Sequence, residues 1–475
     1  MSVDFNFMVG GEAGQGVQSV GFLLAKVFAR NGYSIFADQD YESRIRGGHN
    51  FFRVRVKDSR VSAIAEPVNI LVALNKESID LHHKELTVDG IAIFDVDKIK
   101  DISAEDKILG IPLERLAEEK AGNKVMTNTV ALGAALALVD CDLVMVHAED
   151  EIAAVNMAIG AAYAGTRAMT ATSGSGFCLM VEGIGLAGIT ETPIVVIDGQ
   201  RPGPAVGLPT RTEQGNLQFV LHAHHGEFPR AVLAPATIED AFWLTVKAFN
   251  LAEKYQLPVI ILTDHHLASS YATVDPFDIS EVKVDRGLLF PEKEDDPSEY
   301  KRHKITQSGI SPRAFPGMSK ALVVTDCDEH DEAGHLIEDA ETRMAQVEKR
   351  MRKLFSLKQE ISLPSLYGSK KANTTLIGWG STYGAIHEAV DMLRHDGASV
   401  NMLHLNELWP FPTEAVTDAV SKANNSYVIE NNATGQLARL IKAETGCDVS
   451  GKILKFDGRP FTPAYIAEAM RKEGC

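Results

Sequence analysis

The sequence predicts an α/β protein in which three units, each built on an open parallel or mixed sheet, follow one another along the chain. The first observation is length, because 475 residues exceed what one ordinary hydrophobic core serves. The second is composition: hydrophobic residues make up 45% and charged residues 23%, the balance of a globular protein. The third is the alternation of short apolar segments with amphipathic stretches, which favours strands joined by crossover helices.

The first unit is predicted over residues 1–143. It opens with the apolar segment Phe5–Val9, which runs into a glycine-rich segment and then an amphipathic helix. Phe51–Val56 alternates as a half-buried strand does, and Ile70–Leu74 and Ile91–Phe94 are typical of buried strands. Strands separated by helical stretches predict a mostly parallel sheet here.

The second unit is predicted over residues 144–274. Its strands are expected at Ile194–Ile197 and Val259–Leu262, where apolar residues run without interruption. The helical stretches Ala153–Gly165 and Leu179–Gly188 are rich in glycine and alanine. Such small side chains permit close packing around a bulky group.

A wrapping linker is predicted over residues 275–372, because Lys, Asp, Glu and Pro are frequent there and strand patterns are few. Within it, Glu338–Leu354 has the composition of a solvated charged helix. Alternation returns in the last unit, residues 373–475. Its elements are predicted at Leu376–Gly378, Ala385–Arg394, Val400–Leu405, Ser426–Glu430 and from Thr462 onward.

Charge and hydropathy exclude several classes of partner. The net charge of −17 argues against nucleic acid and against anionic membrane surfaces. No apolar run approaches the ~18 residues that a membrane span requires. The amino terminus shows no basic segment followed by an apolar core, so export is not expected and the cytoplasm is the predicted location.

No metal site is predicted in this chain. Iron–sulfur clusters and structural zinc need closely spaced thiolates, whereas the five cysteines are scattered. They are Cys141, Cys178, Cys327, Cys447 and Cys475. Two further polar segments, His222–Glu227 and Asp326–His335, have no helix or hairpin pattern that would converge ligands, so each is interpreted as a polar loop or subunit contact.

The glycine-rich segment between the first strand and helix has two possible roles. Its glycines are Gly10, Gly11, Gly14 and Gly16. Backbone amides there could cradle a phosphate at the helix amino terminus, or the glycines could serve only a tight turn. Downstream, Arg44 and Arg46 could face a phosphate or form salt bridges. A dinucleotide-dependent enzyme would place an acidic ribose-binding residue about 20 positions on, where Asp38 and Asp40 stand.

Several motifs together resemble one family. The glycine-rich segment paired with Tyr41–Gly48 resembles the gamma domain of 2-oxoacid:ferredoxin oxidoreductases. The rest resembles the alpha subunit of that family, in the branch that includes 2-oxoglutarate:ferredoxin oxidoreductase. The segments that carry this likeness are Ala148–Met157, Thr170–Phe177, Gln200–Pro204, Leu208–Gly215, Gly378–Ser381, Trp409–Pro412 and Glu430–Leu437.

The resemblance covers nearly the whole chain in the fused gamma–alpha order, and it implies both domains and activity. The first unit would be a gamma-type domain, the second a thiamine-pyrimidine-binding domain and the last a transketolase-C-terminal-like domain. The implied reaction is a reversible, thiamine-dependent oxidative decarboxylation of a 2-oxoacid to an acyl-CoA, with electrons passed to ferredoxin. The branch points to 2-oxoglutarate and succinyl-CoA, and pyruvate or a broad 2-oxoacid range is the alternative.

The resemblance also implies a division of labour between subunits. A beta subunit would carry thiamine diphosphate with Mg²⁺ and a [4Fe–4S] cluster, in an alpha2beta2 assembly, with coenzyme A as co-substrate. This chain lacks the Gly-Asp-Gly…Asn-Asn signature of the magnesium–diphosphate half, in line with that division. Because ferredoxins are usually acidic, docking is expected on the partner rather than on this acidic chain.

Three residues carry the expected site. Thiamine catalysis needs a carboxylic acid at N1′ of the aminopyrimidine, and the resemblance assigns this role to Glu151. Glu149 is the fallback, and a plain helix cap is the alternative for Glu151. Arg201 and Thr210 correspond to the family's substrate residues. An arginine fork binds a carboxylate through two parallel bonds, although Arg201 could instead form an interface salt bridge.

One departure from the family pattern is a missing segment. The alpha domain normally opens with a Tyr-Pro-x-Thr-Pro motif, but here gamma-type sequence ends near Leu143 and alpha-type sequence begins at Val144. Either a segment is omitted, which we favour, or the deletion is real, which would support a non-catalytic scaffold or regulator. We predict a spatial break within Cys141–Met145 or a second sheet left open at that edge.

Overall fold

The structure, a computed structural model, describes residues 4–13, 15, 17–30, 33–42, 47–95, 99, 108–111, 148–291 and 300–475. Gly14, Gly16, Arg44 and Arg46 lie outside the described residues. The predicted break within Cys141–Met145 lies outside them as well. The expectations for these positions therefore stay predictions.

The first unit alternates strands and helices as predicted. Its elements are β1 (Asp4–Ala13), α1 (Val17–Arg30), β2 (Ser34–Asp40), β3 (Gly47–Lys57), β4 (Val68–Ala73), α2 (Lys76–His82), β5 (Leu86–Asp95) and β6 (Ile108–Ile111).

The second unit contains the two small-residue helices as its first and second helices. Its elements are α3 (Glu151–Tyr163), β7 (Met169–Ser173), α4 (Gly176–Ile189), β8 (Ile194–Gln200), α5 (Leu217–Leu221), β9 (Ala231–Leu233), α6 (Ile238–Tyr255), β10 (Pro258–Asp264), α7 (His265–Ser269) and β11 (Tyr271–Ala272).

The remaining part of the chain begins with a long helix and ends in another alternating unit. Its elements are α8 (Ala340–Glu360), β12 (Ser365–Tyr367), β13 (Thr374–Trp379), α9 (Tyr383–His395), β14 (Val400–Leu405), β15 (Glu407–Trp409), α10 (Thr413–Lys422), β16 (Asn425–Glu430), α11 (Gln436–Thr445), β17 (Gly451–Leu454) and α12 (Pro463–Lys472).

These strands form three sheets, which confirms the predicted α/β class with parallel or mixed sheets. The strand orders in the described part of the chain are β11-β2-β3-β1-β4-β5-β6, β15-β9-β10-β8-β7 and β12-β14-β13-β16-β17. The first sheet is mixed rather than mostly parallel, because β3 pairs antiparallel with both β1 and β2. The connection from Asp40 to Gly47 is too short for the crossover that parallel neighbours need.

Two units each add a short strand to the sheet of another unit. Tyr271–Ala272, which follows β10, adds to β2 of the first sheet, and Glu407–Trp409 from the last unit adds to β9 of the second. The span 275–372, predicted as a linker, also contributes Ser365–Tyr367 to the third sheet. Strands of two or three residues show no periodicity in a sequence, so only the fold reveals them.

The charged helix α8 is not solvated on all sides, which corrects the prediction for Glu338–Leu354. Phe355 is 79% exposed, but Lys349 and Lys353 on the opposite face are fully buried. Both lysines form ion pairs with Glu191, Lys353 at 2.5 Å, and His303 lies 3.0 Å from the same carboxylate. Burial alone would raise the pKa of Glu191, but the two lysine charges hold that pKa well below its usual range.

A buried polar network joins the last unit to the second. Glu430 is fully buried and accepts hydrogen bonds from the amides of Leu437 (2.8 Å) and Ala438 (3.1 Å), so it caps the amino terminus of α11. Gln214 of the second unit donates to the Trp379 carbonyl oxygen at 2.8 Å. The motif residues of the last unit therefore have a structural role in docking.

In the described part of the chain β7 is the last strand on one side of the second sheet, and its residues alternate between exposed and half-buried. Among the described helices, none is both long and apolar enough to span a membrane.

Candidate active site at the edge of the second sheet

Polar side chains replace apolar ones where the strands of the second sheet end. Val196 and Leu262 belong to the core that α3 and α4 cover, and Asp198 and Asp264 each follow two residues later on the same face. Thr172 of β7 lies beside Asp198 in the parallel register. Open α/β sheets bind ligands beyond the carboxyl ends of their strands. The carboxyl end of the second sheet, called the sheet edge below, is therefore the candidate active site.

Glu151 points its carboxylate at this edge. It is the first residue of α3, and its Oε1 lies 3.5 Å from Thr172 Oγ1. The cap of α3 is a different residue, since the Asp150 side chain accepts from the Ala153 amide at 2.7 Å. Glu151 is half-buried, whereas Glu149 lies exposed outside the helix.

The turn between β7 and α4 leaves room for the Glu151 carboxylate. A Cβ at Gly176 would lie 2.5 Å from Glu151 Oε1 and closer still to Thr172 Oγ1. Gly174 has φ +57°, and a Cβ there would collide with the Arg201 side chain. The turn 173–176 therefore lies between the two side chains: Glu151 packs against Gly176, and Arg201 packs against Gly174.

Arg201 approaches this turn from the end of β8. Its Nε is buried without a hydrogen-bond partner, and it forms no ion pair with any described residue. The alternative of a salt bridge thus finds no partner in the described part of this chain. A half-buried guanidinium with a free donor suits an incoming carboxylate.

Asp198 lies beneath Arg201, and the sequence reasoning missed it. Its side chain is fully buried; Oδ2 accepts from Asn216 Nδ2 at 2.9 Å, and Oδ1 has no partner among the described residues. Burial raises its pKa to about 6, against the opposing effects of Asn216, the Gly174 amide and the Arg201 charge. A charged residue ending the apolar run Ile194–Ile197 was the signal that could have found it.

Thr210 lines a small crevice between the three units, together with Arg211, Asp40 and Arg459. Arg211 pairs with Asp40, and Arg459 Nε lies 3.5 Å from the same carboxylate. No hydrogen bond or ion pair of the described residues joins Thr210 to Glu151 or Arg201. The structure thus brings together two of the three predicted residues.

The glycine-rich segment differs from the predicted loop. Gly10 and Gly11 lie within β1 and are buried, and a Cβ at Gly11 would press on Leu74 and Val17. The Glu12 amide already donates to Gln15 Oε1 at 2.8 Å. Any phosphate cradle would therefore rest on Gly14, Gly16 and the two arginines outside the described residues, and not on Gly11.

The dinucleotide alternative loses its ribose-binding candidates. Asp38 is held by Arg53 through two hydrogen bonds of 3.0 and 2.6 Å, and Asp40 by Arg211. Asp326, Cys327 and Asp328 bring three ligand atoms within 4.8 Å of one another, and Cys327 and Asp328 line a cleft together with Ile152 of α3.

Comparison with known proteins gives one consistent picture. A family model described as the thiamine diphosphate-binding domain of pyruvate flavodoxin/ferredoxin oxidoreductase matches residues 121–349. Models of pyruvate ferredoxin/flavodoxin oxidoreductase and of pyruvate:ferredoxin oxidoreductase core domain II match residues 6–169 and 372–466. The 2-oxoglutarate synthase subunit KorA of Archaeoglobus fulgidus is 33% identical over 333 residues, which cover 70% of this chain and 86% of that protein.

The chain belongs to the 2-oxoacid:ferredoxin oxidoreductase alpha-subunit family. The resemblance seen in its motifs is thereby confirmed. Within the family, 2-oxoacid:ferredoxin oxidoreductase 1 subunit alpha of Sulfurisphaera tokodaii is 44% identical over 335 residues, or 70% of this chain. The match covers 52% of that relative, so the chain spans about half the length of such family members.

A solved family structure has the same fold. It is 2-oxoglutarate:ferredoxin oxidoreductase from Magnetococcus marinus with 2-oxoglutarate, coenzyme A and succinyl-CoA bound. The TM-score is 0.89 and the identity 26%, with 99% of each chain covered. The three-unit α/β architecture of this chain is therefore that of the family.

Proposed function

We propose that the chain is the alpha subunit of a CoA-acylating 2-oxoacid:ferredoxin oxidoreductase and that 2-oxoglutarate is its substrate. One observation carries the proposal. Glu151 lies against Gly176 and Arg201 against Gly174 of the same turn, at the sheet edge where open α/β sheets bind ligands. The branch of the family and the 2-oxoglutarate enzyme of like fold support the choice of substrate.

The residues at the edge fit the aminopyrimidine half of thiamine diphosphate. The ring needs a carboxylic acid at N1′, and the half-buried Glu151 at the start of α3, beside Thr172, can supply it. Bound thiamine diphosphate supplies a nucleophilic carbon and an electron sink. Glu151 would hold a proton at its carboxylate and exchange it with the bound ring, the acid–base assistance that this cofactor's chemistry requires.

Arg201 acts on the substrate. Its guanidinium is fixed against Gly174 and keeps a buried donor free, so it can orient the carboxylate next to the 2-oxo carbon. Orientation matters because the carboxylate leaves as CO₂ only when its bond is aligned for cleavage. Thr210 is proposed to act from the neighbouring crevice once the assembly is complete.

The remaining components are proposed for a beta subunit. It would hold thiamine diphosphate through Mg²⁺, carry the [4Fe–4S] cluster and receive ferredoxin, in a cytoplasmic alpha2beta2 assembly. The exposed apolar residues Ile152, Met157 and Leu179 on α3 and α4 support a partner surface beside Glu151. Gly14, Gly16, Arg44 and Arg46 are proposed for the phosphates of coenzyme A.

A steady-state comparison tests this function. The complex reconstituted with its beta subunit is assayed anaerobically with 2-oxoglutarate, pyruvate and a branched 2-oxoacid, each with CoA and ferredoxin. We expect kcat/KM to be highest for 2-oxoglutarate. Turnover that does not respond to added thiamine diphosphate, or no turnover with any 2-oxoacid, would favour the scaffold alternative.

Arg201→Lys is predicted to lower kcat/KM for the 2-oxoacid by at least ~10-fold, since lysine keeps the charge but loses the planar fork. Affinity for CoA should change little, because Arg201 faces the sheet edge and not the first unit. Parallel assays with varied 2-oxoacid and varied CoA check this. A matched fall for both ligands would mean that Arg201 stabilises an interface.

The chain purified without its partner is predicted to be colourless. Cys178, Cys327, Cys447 and Cys475 are free and separate in the described residues, and a cluster needs several converging thiolates. An absorbance spectrum checks this, with the reconstituted complex as the positive control. A broad band near 400 nm in the isolated chain would contradict the prediction.

A further inference from the structure

We propose that Asp198 is a positioning residue for Arg201: its buried carboxylate fixes the Gly174 turn and so leaves the Arg201 fork aimed at the substrate carboxylate. The inference rests on the proposed function and names a residue of the same site. Arg201 is argued to touch the substrate, whereas Asp198 acts through Arg201 and the turn.

The contacts of Asp198 place it at the centre of the site. Asp198 lies on β8 between Thr172 of β7 and Leu262 of β10. Asn216, in the loop after β8, donates a hydrogen bond to its carboxylate. Gly174 follows the paired residues Thr172 and Ser173 of β7, its amide lies close enough to lower the pKa of Asp198, and a Cβ at Gly174 would collide with the Arg201 side chain. The glycine is thus held between the two charged groups.

Asp198 is an unfavourable residue for the fold alone. A fully buried carboxylate with one oxygen unpaired destabilises the folded chain, because desolvation is not fully offset by hydrogen bonds. Among the described residues, Arg201 is the charged group that lowers its pKa, while Asn216, Thr172 and Leu262 are uncharged. Such local cost is typical of residues kept for activity.

Asparagine at this position keeps the volume but removes the charge. Asn216 already donates to one oxygen, so the new amide must turn its NH₂ group towards the Gly174 amide and the Arg201 guanidinium. Both of these are donors, so neither can bond to the NH₂ group, and the attraction that the carboxylate exerts on them is lost. The turn and the arginine should therefore shift away, which weakens substrate binding without disrupting the core.

The sign of the stability change follows from the pKa of Asp198. That pKa is raised from 3.8 to about 6, so above pH 6 the folded chain holds an anion that burial disfavours. Asp198→Asn removes this cost. The variant should therefore be more stable than the parent at pH 7.5, and the difference should vanish as the pH falls towards 3.8.

The test compares Asp198→Asn, Asn216→Ala and Arg201→Lys in the reconstituted complex. For Asp198→Asn we expect KM for 2-oxoglutarate to rise about 10-fold, KM for CoA to stay constant and Tm at pH 7.5 to rise. Asn216→Ala, which removes the hydrogen bond to Asp198, should raise the same KM while lowering Tm. This split separates positioning from a structural role, which would lower Tm in both variants.

Three outcomes would overturn one or other of the proposals, and they can be told apart. An unchanged KM for 2-oxoglutarate in Asp198→Asn, in a complex that Arg201→Lys does impair, overturns the role of Asp198 alone. A parent complex with no 2-oxoacid-dependent turnover overturns the proposed function. A fall of Tm together with loss of activity in Asp198→Asn would show that Asp198 only maintains the fold.

Discussion

Glu151→Gln should leave the fold and the complex intact but reduce turnover by at least ~10²-fold, the scale of losing acid–base assistance. Glutamine fills the same space beside Gly176 and can still contact Thr172, but it cannot exchange a proton with the bound ring. The measurement is kcat of the reconstituted complex with 2-oxoglutarate, CoA and ferredoxin. Thiamine diphosphate affinity should fall less than kcat, because glutamine can still form a hydrogen bond with the ring.

Glu149→Gln is the matched control. Glu149 lies two residues away and is exposed, so the turnover of this variant should stay within about 2-fold of the parent. Near-normal turnover in Glu151→Gln with a large loss in Glu149→Gln would transfer the acid–base role to Glu149. Normal turnover in both variants would remove that role from this helix.

Glu191→Gln should have the largest effect on stability, a loss of about 3–5 kcal/mol in the free energy of unfolding. Glu191 is buried between Lys349, Lys353 and His303, and glutamine leaves two buried ammonium groups without a counter-charge. These contacts hold α8 to the residues that follow α4. In the variant, α8 should therefore detach from the second unit at a lower urea concentration than that at which the rest of the chain unfolds. Urea denaturation of the isolated chain, followed by circular dichroism, measures the change.

Glu332→Gln is the control for this variant. Its ion pair with Lys301 is partly exposed at 2.7 Å, and such pairs contribute about 0–1 kcal/mol. A loss for Glu191→Gln as small as that for Glu332→Gln would show that the lysines of α8 are neutral or reach water. Turnover per folded molecule should be unchanged in both variants, since neither residue lies at the sheet edge.

The sequence by itself determined the fold class and most elements. Long apolar runs such as Ile194–Ile197 and Val259–Leu262 lie in β8 and β10, because a strand buried on both faces requires uninterrupted hydrophobic residues. The motifs also determined the family, and with it Glu151 and Arg201 as candidates. Strand and helix periodicity and family motifs each span a few neighbouring residues, so the sequence alone was enough to predict them.

The tertiary structure decided what depends on distant residues. The strands Tyr271–Ala272 and Glu407–Trp409 are too short to show a pattern and exist because a neighbouring sheet offers an unpaired edge. The charges of α8 looked solvated because their counter-charge, Glu191, lies far away in the sequence. The sequence shows Asp198 as a charged residue at the end of an apolar run, but its proposed role depends on the packing of Gly174 beside it and Arg201. Burial and pairing are set by the whole fold, whereas strand and helix patterns are set by nearest neighbours.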